Sequence, residues 1–215
     1  TKTRTLIRDR RHSGADELFY FPDSHLQKAE IQDLERTLRF IGGVKIRGSW
    51  KFPYECAATL DSIVSLGVIP EVKSHQFYPT PEPIAKYVSQ ILKCQPTDQI
   101  LDPDAGRGDL VAFLDVPEEN ITSVEISPLF CEILGAKGYN VYNKDFLAWS
   151  KEFATAPGYD KIAINPPYSE GRAKEHTLAA LTHLNEKGIM VAVLPAGYKP
   201  EEWIGNEFVC AKSGR

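Results

Sequence analysis

Between residues 99 and 194 short apolar runs alternate with stretches long enough for a helix, and this alternation restricts the fold more than any other feature. The runs are Gln99 to Asp102, Ile121 to Ile126, Asn140 to Tyr142, Lys161 to Asn165 and Ile189 to Leu194. Strands joined through helices must run parallel, and a parallel sheet needs both faces covered. The expected fold is α/β, a mostly parallel sheet with helices on both faces. Such sheets bind ligands beyond the carboxyl ends of their strands, so the residues just after each run are the candidate site.

The fourth run, Lys161-Ile162-Ala163-Ile164, leads into Asn165-Pro166-Pro167-Tyr168. Neither proline can donate a ladder hydrogen bond, so the strand stops abruptly and its end is rigid. The Asn165 carboxamide oxygen and the Pro166 carbonyl then form an acceptor pair suited to an NH2 group. Tyr168, expected to face outward, supplies a ring for a flat π-system. A proline-rich strand terminator carrying a surface tyrosine is the plainer reading of the same four residues.

The first run opens into Asp102-Pro103-Asp104-Ala105-Gly106-Arg107-Gly108-Asp109-Leu110. Gly106 and Gly108 let the backbone approach a ligand closely. Leu110 and Val111 stand where a third glycine of a dinucleotide loop would fall, and three aspartates oppose a diphosphate. A loop of that sign suits the ammonium and sulfonium of S-adenosylmethionine. Glu125, ending the second run, is placed to take both hydroxyls of a ribose. Asp145-Phe146, after the third, places a carboxylate and a ring near an adenine. Ahead of the first run, Thr80 and Pro81 read as N-cap and first residue of a helix through Ile84, Val88, Ile91 and Leu92, with free N–H groups able to hold a carboxylate. His176 and His183 lack a third metal ligand and read as surface or packing residues, so no metal is expected. No Pro-Cys pair occurs, which leaves cytosine-ring methylation without a nucleophile.

The first 76 residues read as a separate small α+β module. Thr1 to Ala15 has no hydrophobic period and reads as a flexible basic arm. Leu18 to Phe21 reads as a strand ended by Pro22, and a helix from a Ser24/Gln27 capping box presents Ile31, Leu34, Leu38 and Ile41 before Gly42-Gly43. Val44, Ile46, Trp50 and Phe52 then alternate with Lys45, Arg47, Ser49 and Lys51 around a Gly48-Ser49 hairpin, giving one apolar and one basic face. Trp50 fills the module's core or stacks on a base, the core being the plainer reading. Residues 55–66 read as a helix and Gly67 to Gln76 as a linker.

Charge supports the division. The 215 residues carry a net −4, yet residues 1–51 hold 11 Lys+Arg against 7 Asp+Glu, a balance of +4 that leaves −8 for the rest. A basic segment on an acidic domain suits contact with phosphate, and a solvated charged face is the alternative. No apolar run is long enough to span a bilayer and no apolar leader follows the first residues, so a soluble, cytoplasmic protein is expected. Four widely spaced cysteines signal neither zinc nor disulfides.

Taken in order, Phe77-Tyr78-Pro79-Thr80-Pro81, Asp102 to Gly108, Glu125, Asp145-Phe146 and Asn165 to Tyr168 resemble the class I S-adenosylmethionine-dependent methyltransferases, specifically the amino-methylating DNA adenine enzymes. The resemblance covers about residues 77–198. It implies a Rossmann-like sheet of seven strands with a final reversed hairpin, and catalysis by Asn165, Pro166, Pro167 and Tyr168. It implies a cofactor held by Tyr78, Thr80, Asp102, Pro103, Ala105, Gly106, Gly108, Glu125, Ile126, Asp145, Phe146 and Asn165. The substrate would be met by Tyr168; the front module matches no part of the family's common core, and its Lys45, Arg47 and Lys51 are candidates for phosphate contact from its basic charge alone. The partners implied are DNA and a restriction endonuclease or another restriction-modification subunit. Only 21 residues follow Leu194, so the methyltransferase domain, 77–215, is expected to be incomplete at its C-terminal end. The same chemistry on RNA or on a protein glutamine amide, and a non-catalytic binding protein of this fold, are the alternatives.

Overall fold

The computed structural model describes residues 7, 11–13, 18–21, 27–66 and 78–205, with 11–13 and 170 described by backbone alone. The Ser24 cap, Pro22 and the 67–76 linker lie outside the described residues. The front of the chain forms a four-stranded antiparallel sheet, β1 (Arg11–Ser13), β2 (Leu18–Tyr20), β3 (Val44–Ile46) and β4 (Ser49–Lys51), in the order β1-β2-β4-β3. Arg11–Ser13 is thus an edge strand paired with β2, not part of a free arm. A three-residue edge strand needs no hydrophobic alternation to be held by its backbone, which is why the sequence hid it.

Helix α1 (Lys28–Phe40) begins three residues later than the Ser24 reading. Its capping box is Gln27/Glu30, the Gln27 N–H donating to the Glu30 carboxylate at 3.0 Å. Leu34, Leu38 and Ile41 are buried and Ile31 is half-buried. The helix ends where the Gly43 N–H donates to the Leu38 carbonyl at 2.8 Å. A Cβ on Gly43 would stand 2.8 Å from both that carbonyl and the Phe52 ring, so only glycine lets the hairpin leave the helix this closely.

The hairpin corrects the expected alternation. Its loop is Arg47-Gly48, with φ of +47° and +88°, the paired left-handed geometry that suits a two-residue hairpin. The register sets Val44 opposite Lys51 and Lys45 opposite Trp50. Directly paired residues share a face, so Val44 and Ile46 lie opposite to Trp50 and Phe52 and are 58% and 40% exposed. Lys45 sits on the Trp50 side and pairs with Glu35 of α1. The basic residues therefore do not form one face.

Helix α2 (Ala57–Leu66) completes the front layer. After α3 (Glu82–Leu92) come β5 (Ile100–Asp102), β6 (Ile121–Glu125), α4 (Pro128–Ala136), β7 (Asn140–Asn143), α5 (Phe146–Glu152), β8 (Tyr159–Ile164), α6 (Arg172–Leu181) and β9 (Leu184–Ala192). The five strands are all parallel in the order β7-β6-β5-β8-β9, a Rossmann-like α/β sheet. The reversed hairpin implied by the resemblance is not among the described residues. The chain steps outward from β5 to β7 and then crosses back to β8, so the strand order reverses between β5 and β8, where a crevice opens at the carboxyl ends.

Successive residues of β5 serve opposite layers. Ile100 packs with Val88, Leu92 and Ile121, and Leu101 packs with Val124, Phe146, Trp149 and Ile162. A third core joins the two parts of the chain: Phe19, Leu38, Trp50, Phe52 and Ile63 pack with Leu129, Phe130 and Ile133 of α4. At about 1.5–3 kcal/mol for each large apolar side chain removed from water, this shared core is a major part of the stabilisation of both parts.

Candidate functional site: a cavity at the strand ends

The carboxyl ends of β5, β6, β7 and β8, with the segment 78–80, enclose a cavity of about 210 Å³. Of the residues singled out in the sequence, Tyr78, Thr80, Pro103, Ala105, Gly106, Glu125, Ile126, Asp145, Phe146, Asn165 and Pro167 line it. Asp102, Gly108, Pro166 and Tyr168 do not, and Lys45, Arg47 and Lys51 belong to the front hairpin. Gly108, at φ +75°, lies where a Cβ would strike Tyr139 and Leu134, so its role is close packing behind the loop.

The loop after β5 is stitched to β6. The Ala105 N–H donates to the Val124 carbonyl at 3.1 Å, and the Gly106 N–H donates to Glu125 Oε2 at 2.7 Å. The other carboxylate oxygen accepts from the Ser127 N–H, also at 2.7 Å. Each oxygen keeps a lone pair for a ligand hydroxyl. Burial pushes the Glu125 carboxyl up to about 7, against the pull of the Ser127, Gly106 and Ile126 N–H groups. Asp102 is fully buried, and neither of its oxygens has a hydrogen-bond partner among the described residues; burial, then the charges of Asp104, Glu125 and Asp109, raise its carboxyl well above the ordinary range.

Two of the three loop aspartates have protein partners, which narrows the expected field toward a cationic ligand. Asp109 accepts from Arg107 at 2.7 and 3.2 Å. Asp104 sits 2.9 and 3.0 Å from His176 Nδ1. His176 is 3% exposed and lines the cavity, and its Nε2 has no hydrogen-bond partner among the described residues. It is not a surface residue, and the sequence offered no sign of its partner 72 positions away. His183 is a packing residue, buried with Nε2 at 2.8 Å from Ser150 Oγ. Lys144, Phe130 and Arg172 also line the cavity without having been singled out. Asp145 caps α5 by accepting from the Ala148 N–H at 3.1 Å, which aims the start of that helix at the cavity.

Asn165 is held on three sides. Its Nδ2 donates to Thr80 Oγ1 at 3.1 Å and to the Tyr78 carbonyl at 3.3 Å, and its Oδ1 accepts from the Tyr168 hydroxyl at 2.6 Å. A carbonyl can only accept, so the Tyr78 contact fixes which way the amide points. Thr80 is therefore not the helix cap; Pro81 occupies that position, and the Thr80 hydroxyl serves Asn165 instead. Nor does Tyr168 face outward. Its hydroxyl turns back onto Asn165, and its ring stacks on Tyr78 at 5.8 Å between centroids and 16° between planes. Among the described residues no group of acidic, histidine or cysteine side chains could hold a metal ion, and no helix is long and apolar enough to cross a membrane.

No protein-family model matches the chain, and no curated protein matches it. Several solved methyltransferases are similar in chain path. A putative RNA methyltransferase from Pyrococcus horikoshii is 22% identical, with a TM-score of 0.46, over 58% of this chain and 65% of its own. A modification subunit of a putative type I restriction enzyme from Vibrio vulnificus is 15% identical, with a TM-score of 0.47, over 80% and 41%. A putative class I S-adenosylmethionine-dependent methyltransferase from Listeria monocytogenes is 14% identical, with a TM-score of 0.45, over 85% and 64%. The chain thus spans less than two thirds of the length of each of these three.

Proposed function

We propose that the chain is an S-adenosylmethionine-dependent methyltransferase acting on the exocyclic amine of adenine in DNA, with residues 77–215 as the catalytic domain and 1–76 as a module that meets the nucleic acid. The observation that carries this reading is the Asn165 carboxamide, fixed at a rigid strand end beside a cavity rimmed by Glu125 and Asp145. The donor set suits the cofactor: Glu125 retains lone pairs for ribose hydroxyls, Asp145 and Phe146 suit an adenine, and the His176 Nε2 awaits a polar partner. When bound, the cofactor supplies a methyl group on a sulfonium. Asn165 Oδ1, through the lone pair that Tyr168 leaves, and the Pro166 carbonyl accept the two N–H bonds of the target amine. That arrangement lets the nitrogen pyramidalise and aim its lone pair in line with the methyl. Orientation and acceptors matched to the positive charge developing on nitrogen supply most of the acceleration. A base in a duplex must first be flipped out, and the Tyr78–Tyr168 pair offers a ring to receive it. Arg47 and Lys51 on the hairpin supply phosphate contacts, and a restriction endonuclease or further modification subunit in the cytoplasm is the corresponding partner.

The test offers methyl-labelled cofactor with adenine-containing DNA, RNA of the same sequence and a glutamine-containing peptide, followed by hydrolysis and identification of the labelled product. Label in N6-methyladenine from DNA is the expected result. Label confined to RNA or to the peptide amide replaces the substrate while keeping the chemistry, and no label in any of the three overturns the enzymatic reading.

A further inference from the structure

The C-terminal end of α1 rests against the loop that frames the cavity. Arg107 lies between the loop's two glycines, both at positive φ, where the backbone has the widest conformational choice. Its Nη1 donates to the carbonyls of Arg39 at 2.7 Å and Phe40 at 2.8 Å, the last two residues of α1. Both are among the last four carbonyls of the helix, at the negative end of its dipole, and the Arg39 carbonyl also accepts from the Gly42 N–H at 3.0 Å. The same guanidinium donates through Nε and Nη2 to Asp109. The backbone carbonyl of Arg107 accepts from Lys137 at the end of α4. One residue earlier, Gly106 holds the carboxylate of Glu125. A second contact runs parallel: the Phe40 ring lies 5.3 Å from that of Phe130, which itself lines the cavity.

We infer that Arg107 is a positioning residue through which the seating of α1 sets the shape of the cofactor loop, so that the front module governs cofactor affinity without touching the ligand. This rests on the reading that the cavity takes S-adenosylmethionine. A planar guanidinium serves two directions at once, the helix end on one edge and Asp109 on the other, and an ammonium at the same place cannot. Because coupling is reciprocal, whatever shifts α1 alters cofactor binding, and bound cofactor in turn steadies α1.

The experiment uses the full chain with Arg107→Lys, Phe40→Ala and the double variant. Three quantities are read: amide exchange of loop residues 104–109 without ligand, affinity for S-adenosylhomocysteine by calorimetry, and single-turnover methyl transfer at saturating cofactor. Arg107→Lys is expected to speed loop exchange and weaken S-adenosylhomocysteine about tenfold, within the usual range of site–site coupling. Its saturated turnover should stay within about twofold of the parent, a split between affinity and rate that general damage to the fold does not produce. The double variant should lose less affinity than the product of the single losses, because both changes release the same helix end. Parent-like affinity in Arg107→Lys, or strict additivity, overturns the inference. If the parent binds no S-adenosylhomocysteine, the cofactor assignment falls, and the exchange measurement alone decides: unchanged loop protection in Arg107→Lys refutes the positioning role and faster exchange supports it.

Discussion

Asn165→Ala tests both roles proposed for this side chain. Removing Oδ1 deletes an acceptor that strengthens as charge builds on the amine, and deletion of one such transition-state hydrogen bond costs about 2.7–4 kcal/mol, or about 10²–10³ in turnover. Removing Nδ2 also frees segment 78–80, because the bonds to Thr80 at 3.1 Å and to the Tyr78 carbonyl at 3.3 Å are lost. A neutral hydrogen bond contributes about 0.5–1.5 kcal/mol. The longer of the two is exposed and belongs at the low end, so losing both costs about 1–2 kcal/mol and cofactor affinity should fall about five- to thirtyfold. Thr80→Val isolates the second role, since it removes one tie and leaves Oδ1 in place: affinity should drop a few-fold with saturated turnover preserved. Single-turnover methylation at saturating cofactor, paired with calorimetry on S-adenosylhomocysteine, reads both quantities. Near-parental saturated methylation by Asn165→Ala would refute the acceptor role.

Glu125 should make cofactor binding depend on pH. Burial raises its carboxyl to about 7, and ribose hydroxyls bond best to the ionised form, so affinity should climb as pH rises through 7 and fall about tenfold by pH 6 relative to its plateau. Glu125→Gln should bind weakly with a flat profile, and a pH dependence that survives in this variant excludes the assignment. For stability the sign is opposite: between the ordinary carboxylate value of 4.5 and about 7 the folded chain retains a proton that the unfolded chain releases. That contribution is complete at acid pH and is lost as pH rises through about 7, a loss that Glu125→Gln should abolish in unfolding titrations. On the front hairpin, Arg47→Ala with Lys51→Ala should flatten the log K against log salt slope for DNA by about 2 units. Lys45→Ala should add little, because Lys45 is already paired with Glu35; an unaltered slope in the double variant would return these charges to solvent. Trp50→Ala, which empties a buried site in the shared core, should cost about 3–5 kcal/mol by denaturant unfolding, and a loss below 1 kcal/mol would contradict its place there.

The parallel sheet was legible because its central strands, β5 and β6, are buried on both faces and end in residues with unusual chemistry. Helix starts and residue pairings were not. The Thr80-Pro81 pair has the composition of a cap, yet Asn165, 85 positions away, claims the threonine hydroxyl and moves the helix start to Glu82. Val44 and Ile46 have the spacing of core residues, but a two-residue loop sets the register, and a shift of one position sends a side chain to the other face. His176 has the appearance of an ordinary helical histidine until the fold brings Asp104 to its Nδ1. Local pattern identifies elements, and partners that meet only through tertiary structure must come from the coordinates.

The shared core also bears on how this chain can be divided. A cut through residues 67–76 separates the sequence into two plausible halves, but not the hydrophobic cluster, since Leu129, Phe130 and Ile133 lie on one side of the cut and Phe19, Leu38, Trp50 and Ile63 on the other. A fragment beginning at residue 78 would carry the whole cavity wall and a bare apolar stripe along α4, a sticky surface of the kind that promotes self-association. The two halves are joined as a peel is joined to its fruit: grafting the parallel sheet onto a different front segment would require a new cover for that stripe.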